Sequence, residues 1–166
     1  MINKINNLSQ GKFTEVFGNV FENASWIADK LYAQKPFRDF KDLVEKMLNV
    51  FELTNRKNKL IILNSHPDLA DKTKIGLLTI DSNKEQNNAG LDQCSEEEFK
   101  EFKNLNQKYK EKFGFPFIYA VKDKSKIEIL NNFKERVAYD ISVEFIEATR
   151  QVKKIASLRI NEIIKK

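Results

Sequence analysis

Three times along the chain a serine is followed three residues later by a glutamate: Ser82 and Glu85, Ser95 and Glu98, Ser125 and Glu128. At that spacing the serine hydroxyl accepts from the backbone N–H three residues on, while the glutamate carboxylate reaches back to the serine N–H. Each pair therefore reads as a helix start. Behind the second come Phe99, Phe102, Tyr109 and Phe113, and behind the third Ile129, Leu130 and Phe133. Spacings of three and four are those of a helix burying one face.

The remainder reads the same way. Ser9 caps a first helix with Phe13, Val16 and Phe17 on one side, ending near Gly18. A second helix buries Ala24, Ile27, Ala28 and Leu31 and is broken by Pro36. A third follows Asp39 with Leu43, Val44, Met47, Leu48 and Phe51 on one face. The run Leu60–Leu63 is a short strand or a buried helical segment, and helical neighbours on both sides favour helix. A less regular segment follows His66-Pro67. A final helix starts near Asp140 and runs past Ile160, with Val143, Ile146, Val152, Ile155 and Ala156 facing inward. Between the last two capping pairs, Phe113 to Val121 carries Gly114 and Pro116 among four aromatic residues and cannot be regular helix. Only 5 Gly and 3 Pro leave little material for an all-β fold of tight turns, and 166 residues suffice for one domain with a real core. The expectation is a single all-α domain, 1–166.

Charge and cysteine content narrow the function. A net charge of +5 with a pI near 9.1 raises nucleic acid as a partner. The lysines, however, are spread along the chain and mixed with acids, as in Lys108-Tyr109-Lys110-Glu111-Lys112, so no nucleic-acid binding is expected. No apolar run approaches the roughly 18 residues of a membrane span. The single Cys94 excludes an internal disulfide and a cysteine metal cage. With no targeting pattern at either end, the expected setting is the cytoplasm.

The one histidine, His66, stands directly before Pro67. The residue before a proline is pushed out of the α region, so His66 belongs where a short buried element stops and the backbone turns. It is either a helix-end histidine stacked on Pro67 or, with a free pKa near neutrality, an acid–base group. Ser82-x-x-Glu85-Gln86 is either a plain helix start or a polar reader of a ligand. The aromatic stretch Phe113–Val121 is core, or nonhelical backbone whose N–H and C=O groups a polar heterocycle can partner. Arg159, among Leu158, Ile160 and Ile163, either reaches out to solvent or holds a carboxylate in a fork.

Together these pieces resemble the OHCU decarboxylases of uric acid degradation (OHCU is 2-oxo-4-hydroxy-4-carboxy-5-ureidoimidazoline). The motifs are His66-Pro67-Asp68-Leu69, Ser82-x-x-Glu85-Gln86-x-x-Ala89-Gly90-Leu91, Tyr109-x-x-Lys112-Phe113-Gly114-Phe115-Pro116-Phe117-Ile118 and Ile155-Ala156-x-Leu158-Arg159-Ile160. Near the start, Phe17-Gly18-x-Val20-Phe21-Glu22 and Trp26-Ile27-Ala28 also fit. Two positions depart: Ala24-Ser25 stands where the family usually has Ser-Pro, and Lys35 where arginine is common. Both lie outside the site motifs. The resemblance implies a helical homodimer that decarboxylates OHCU to (S)-allantoin with no cofactor and no metal. It implies His66 and Glu85 as catalytic residues. Pro67, Ser82, Gln86, Phe117, Ile118, Tyr119, Ala120, Val121 and Arg159 would bind the substrate. The competing classes are a catalytically inactive helical interaction module of the same shape and a basic nucleic-acid binder.

Overall fold

The computed structural model describes residues 2–71 and 78–165. Among these, every regular element is helical, and none is long and apolar enough to cross a membrane. The chain divides into two compact units. One holds the residues up to Ser65 and those from Val152 onward, and the other holds His66 to Gln151.

In the first unit, α1 (Ile2–Asn6) precedes α2 (Gln10–Phe17), α3 (Trp26–Tyr32), α4 (Phe40–Glu52) and α5 (Arg56–Asn64). The starts follow the caps: the side chains of Ser9, Asp39 and Asn55 each accept from the backbone N–H three residues on, which satisfies a donor the helix leaves open. The short α1 has no counterpart in the pattern reading. Its Asn6 fastens the chain by a double hydrogen bond to the backbone of Phe37, both at 2.9 Å. Gly18 ends α2 at a close approach, since a Cβ there would meet the Thr14 carbonyl oxygen at 2.5 Å. The core is aromatic. Phe13 meets Phe17, Tyr32 and Phe37, and Phe21 stacks on Phe51 at 5.1 Å. Burying each such ring contributes roughly 2 kcal/mol. Leu60–Leu63 is helical, within α5.

The second unit contains α6 (Ile80–Asn88), a 3-10 turn (Leu91–Gln93), α7 (Glu96–Phe113) and α8 (Lys126–Arg136). The long α9 (Ile141–Lys165) begins here and continues into the first unit. Ser95/Glu98 and Ser125/Glu128 are both complete capping boxes. Gly114, at φ +77°, closes α7 in the left-handed conformation that suits glycine. Phe117 lies flat on Phe133 at 3.9 Å, and Tyr109 stands edge-on to both rings.

Several sequence expectations need correction. Ser82 and Glu85 do not form a capping box: Thr79 caps α6, accepting from the Ser82 N–H at 3.2 Å, so the helix starts one turn earlier. The helix of Trp26 ends at Tyr32, before Pro36 can break it. Val16 is exposed beside the buried pair Phe13 and Phe17, and Val44 and Leu48 are only half-buried, flanking a stripe that includes Val50. Val143 and Ile146 are 50% and 58% exposed. The buried stripe of α9 is Glu144, Ala148, Gln151, Val152, Ile155, Ala156, Arg159 and Ile160, at strict helical spacing. A buried carboxylate, paired as described below, sets the register of the first half and turns the two aliphatic residues outward. The irregular segment expected after His66-Pro67 lies largely at 72–77, outside the described residues.

Candidate active site

The chain leaves α5 through Ser65, whose N–H still bonds back to Ile61 and Ile62. His66 and Pro67 follow, half-buried, and then Asp68, Leu69 and Ala70 are buried. This turn is held from two helices. From α6, Gln86 accepts the Ala70 N–H at 3.0 Å and donates to the Asp68 carbonyl at 3.2 Å. From α7, Asn106 donates to the Leu69 carbonyl at 3.0 Å, and Lys110 donates to the Asp68 carboxylate at 2.6 Å. Ala70 sits at φ +55°, a left-handed conformation that costs a residue with a Cβ roughly 1–2 kcal/mol. The surrounding bonds offset that cost.

The true start of α6 explains its polar face. With Thr79 as the cap, Ser82, Glu85 and Gln86 fall at i, i+3 and i+4 on one side of the helix. Ser82 and Gln86 are buried and Glu85 is half-buried. The structure thus joins the Gln86 end of this motif directly to the backbone that follows His66-Pro67.

The nonhelical stretch after Gly114 is fastened from α8 and α9. Arg136 donates through Nη1 to the Ile118 carbonyl at 2.7 Å, and its guanidinium lies over the Phe117 ring, 4.5 Å from the centroid. The Ala120 N–H donates to Gln151 at 3.0 Å. Phe117, Ile118, Ala120 and Val121 are buried and Tyr119 is partly open. Beneath them, Arg136 forms a fork with Glu144, and the Tyr109 hydroxyl donates to the same carboxylate. All three side chains are fully buried. Burial, and then the hydrogen bond to Glu144, push the Tyr109 phenol far above its usual range.

Arg159 belongs to the first unit, and the other candidates belong to the second. It does hold a carboxylate, and that carboxylate is Glu22, at 2.9 Å; the carbonyls of Asn19 and Val20 lie 3.4 Å from its other nitrogen.

A sequence model described as OHCU decarboxylase matches residues 6–161. The chain belongs to the OHCU decarboxylase family. It is 34% identical to the 2-oxo-4-hydroxy-4-carboxy-5-ureidoimidazoline decarboxylase of Halalkalicoccus jeotgali, over 98% of this chain and 90% of that protein. It is 38% identical to the uric acid degradation bifunctional protein of Bacillus sp. strain TB-90 over 99% of its own length, but spans only 32% of that longer protein. The crystal structure of (S)-allantoin synthase superposes with a TM-score of 0.79 at 23% identity, covering 98% of this chain and 54% of that one. At that identity the superposition speaks for the fold alone.

Within this OHCU decarboxylase-family chain, several residues with evident duties escape a reading of motifs: Asn106, Lys110, Arg136, Glu144 and Gln151. One signal was available. Extending the stripe of Ile160, Ala156 and Val152 backwards in steps of three and four reaches Ala148 and then Glu144. A carboxylate on a buried face requires a cation. Among the described residues, no group of three His, Cys, Asp or Glu could hold a metal ion.

Proposed function

We propose that this chain decarboxylates OHCU to (S)-allantoin and CO2, using the polar groups of its second unit and no cofactor. The observation that carries the reading is the double hydrogen bond between Gln86 and the backbone of Asp68 and Ala70, which ties the Ser82/Glu85/Gln86 helix to the His66-Pro67 turn.

The substrate supplies its own electron sink. Its carboxylate stands on the carbon next to a ring C=N, so the bonding pair left by CO2 moves toward the imine. The imine nitrogen takes up one proton, the carbon bearing the ureido group takes up another, and one leaves the hydroxyl. With the carboxylate as the starting form, the net change is uptake of one proton and release of CO2. The protein's task is then orientation, stabilisation of developing charge and proton handling. His66 is the acid–base group for one of these transfers. Glu85, with Ser82 beside it, accepts from the ureido and ring N–H groups. Pro67 directs His66 out of the helix end, and Gln86 fixes the turn behind it. In the stretch Phe117, Ile118, Tyr119, Ala120 and Val121, the Ile118 carbonyl and Ala120 N–H are engaged by Arg136 and Gln151. The Val121 carbonyl accepts from the Lys124 N–H at 3.0 Å, and the other backbone groups of the stretch face the amide edge of the heterocycle.

The proposal takes the two units as one working domain, assembled as a homodimer in a reducing cytoplasm, with neither nucleic acid nor membrane as partner. The test is to generate OHCU from urate with the two enzymes that precede this step and to follow circular dichroism of the product. Addition of this protein should accelerate the appearance of optically active allantoin. Racemic product at the spontaneous rate would refute the proposal.

A further inference from the structure

Asn106 is 6% exposed, and its amide is only half satisfied. Nδ2 donates to the Leu69 carbonyl, while Oδ1 is buried with no hydrogen-bond partner among the described residues. A buried acceptor left unpaired destabilises a fold, and an apolar side chain of the same size avoids that cost. The unpaired Oδ1 offsets part of what the amide contributes, and what the amide supplies is a donor to the Leu69 carbonyl. One turn further along α7, Lys110, its side chain 41% exposed, grips the Asp68 carboxylate. Between Asp68 and His66 stands only Pro67, whose ring fixes φ, so whatever holds Asp68 and Leu69 also limits where the imidazole can point.

The same helix bears on the second half of the site. Tyr109, between Asn106 and Lys110, packs edge-on to Phe117 at 5.5 Å and is bonded to Glu144. One rigid element thus touches both the turn carrying His66 and the stretch 117–121.

We propose that Asn106 and Lys110 are positioning residues for His66, aligning its ring from α7 without touching the substrate. This rests on the reading of His66 as the acid–base group. Misplacing such a group by about an ångström lowers turnover far more than it weakens binding.

The experiment uses the single histidine, whose imidazole signals in an NMR spectrum need no assignment. Asn106→Leu, Lys110→Met and Lys110→Arg are compared with the parent protein for thermal midpoint, kcat, KM and imidazole titration. Asn106→Leu strands the Leu69 carbonyl and should lower the midpoint modestly, hold KM within about twofold and lose roughly 10–100-fold in kcat, the scale of a misaligned reacting group. Its imidazole signals should move and titrate at a different pH. Lys110→Met leaves the buried Asp68 carboxylate without its cation, so its midpoint should fall as well, with the same loss in kcat and the same movement of the imidazole signals; Lys110→Arg, which can still pair with Asp68, should recover most of both. A purely structural role would lower the midpoints alone and leave kcat and the imidazole titration of the folded protein unchanged, and that result would overturn the inference. If the parent protein fails to decarboxylate OHCU, the proposed function falls. The imidazole signals still decide whether α7 positions His66: unmoved signals in Asn106→Leu and Lys110→Met refute it, and shifted signals uphold it.

Discussion

Arg159 donates to Glu22 at 2.9 Å, and both side chains are almost completely buried. A buried ion pair is weak evidence of net stabilisation, but removing one member leaves an uncompensated charge. Arg159→Met should therefore cost about 3–5 kcal/mol of stability. Arg159→Met combined with Glu22→Leu should regain much of that loss, with turnover near the parental value. A double variant that regains stability and still fails to turn over would show that Arg159 also acts on the substrate.

The pair Arg136 and Glu144 obeys the same physics with a further consequence. Arg136→Leu strands the Glu144 carboxylate and also frees the Ile118 carbonyl. Unfolding by urea should show a loss of about 3–5 kcal/mol, together with weaker binding of allantoin, because the stretch 117–121 loses its anchor. Replacing both members by leucine should cost less stability than Arg136→Leu alone, while binding stays weak. A double variant less stable than the single one would argue against a stranded charge as the cause.

Tyr109 offers a test in alkali. Its phenol is raised because it is buried and because it donates to Glu144. The folded protein thus holds this proton more tightly than the unfolded chain does. The associated stability is fully present below the free value of about 10 and is lost as pH rises above it. In a spectrophotometric titration near 295 nm, Tyr109→Phe should leave the absorbance change of the native protein unaltered and reduce only the step that accompanies alkaline unfolding. A native titration diminished by one tyrosine would contradict this.

Much of the fold was legible because caps and periodicity agreed: Asp39 before α4, Ser95 before α7 and Ser125 before α8 each stand ahead of a 3/4 apolar stripe. Reading failed where a polar residue had the stronger claim on the interior. Val143 and Ile146 point outward because Glu144, satisfied by Arg136 and Tyr109, takes the buried position. Ser82 looked like a cap because its spacing to Glu85 is that of one, yet Thr79 has the same chemistry and lies one turn earlier. The motif residues His66, Glu85 and Gln86 could be picked out by type and order. Asn106, Lys110 and Arg136 could not. Their partners lie 37, 42 and 18 residues away in the chain, and no local pattern encodes a contact of that range.

Turnover by His66→Asn tests the account most directly. The substitution keeps a polar group of similar reach at the turn and removes the titrating ring. The thermal midpoint should stay close to the parental one, allantoin should still bind, and kcat on OHCU generated in situ should fall by roughly 10²–10⁴-fold, the usual range for general acid–base catalysis. A folded His66→Asn protein with parental kcat would contradict it.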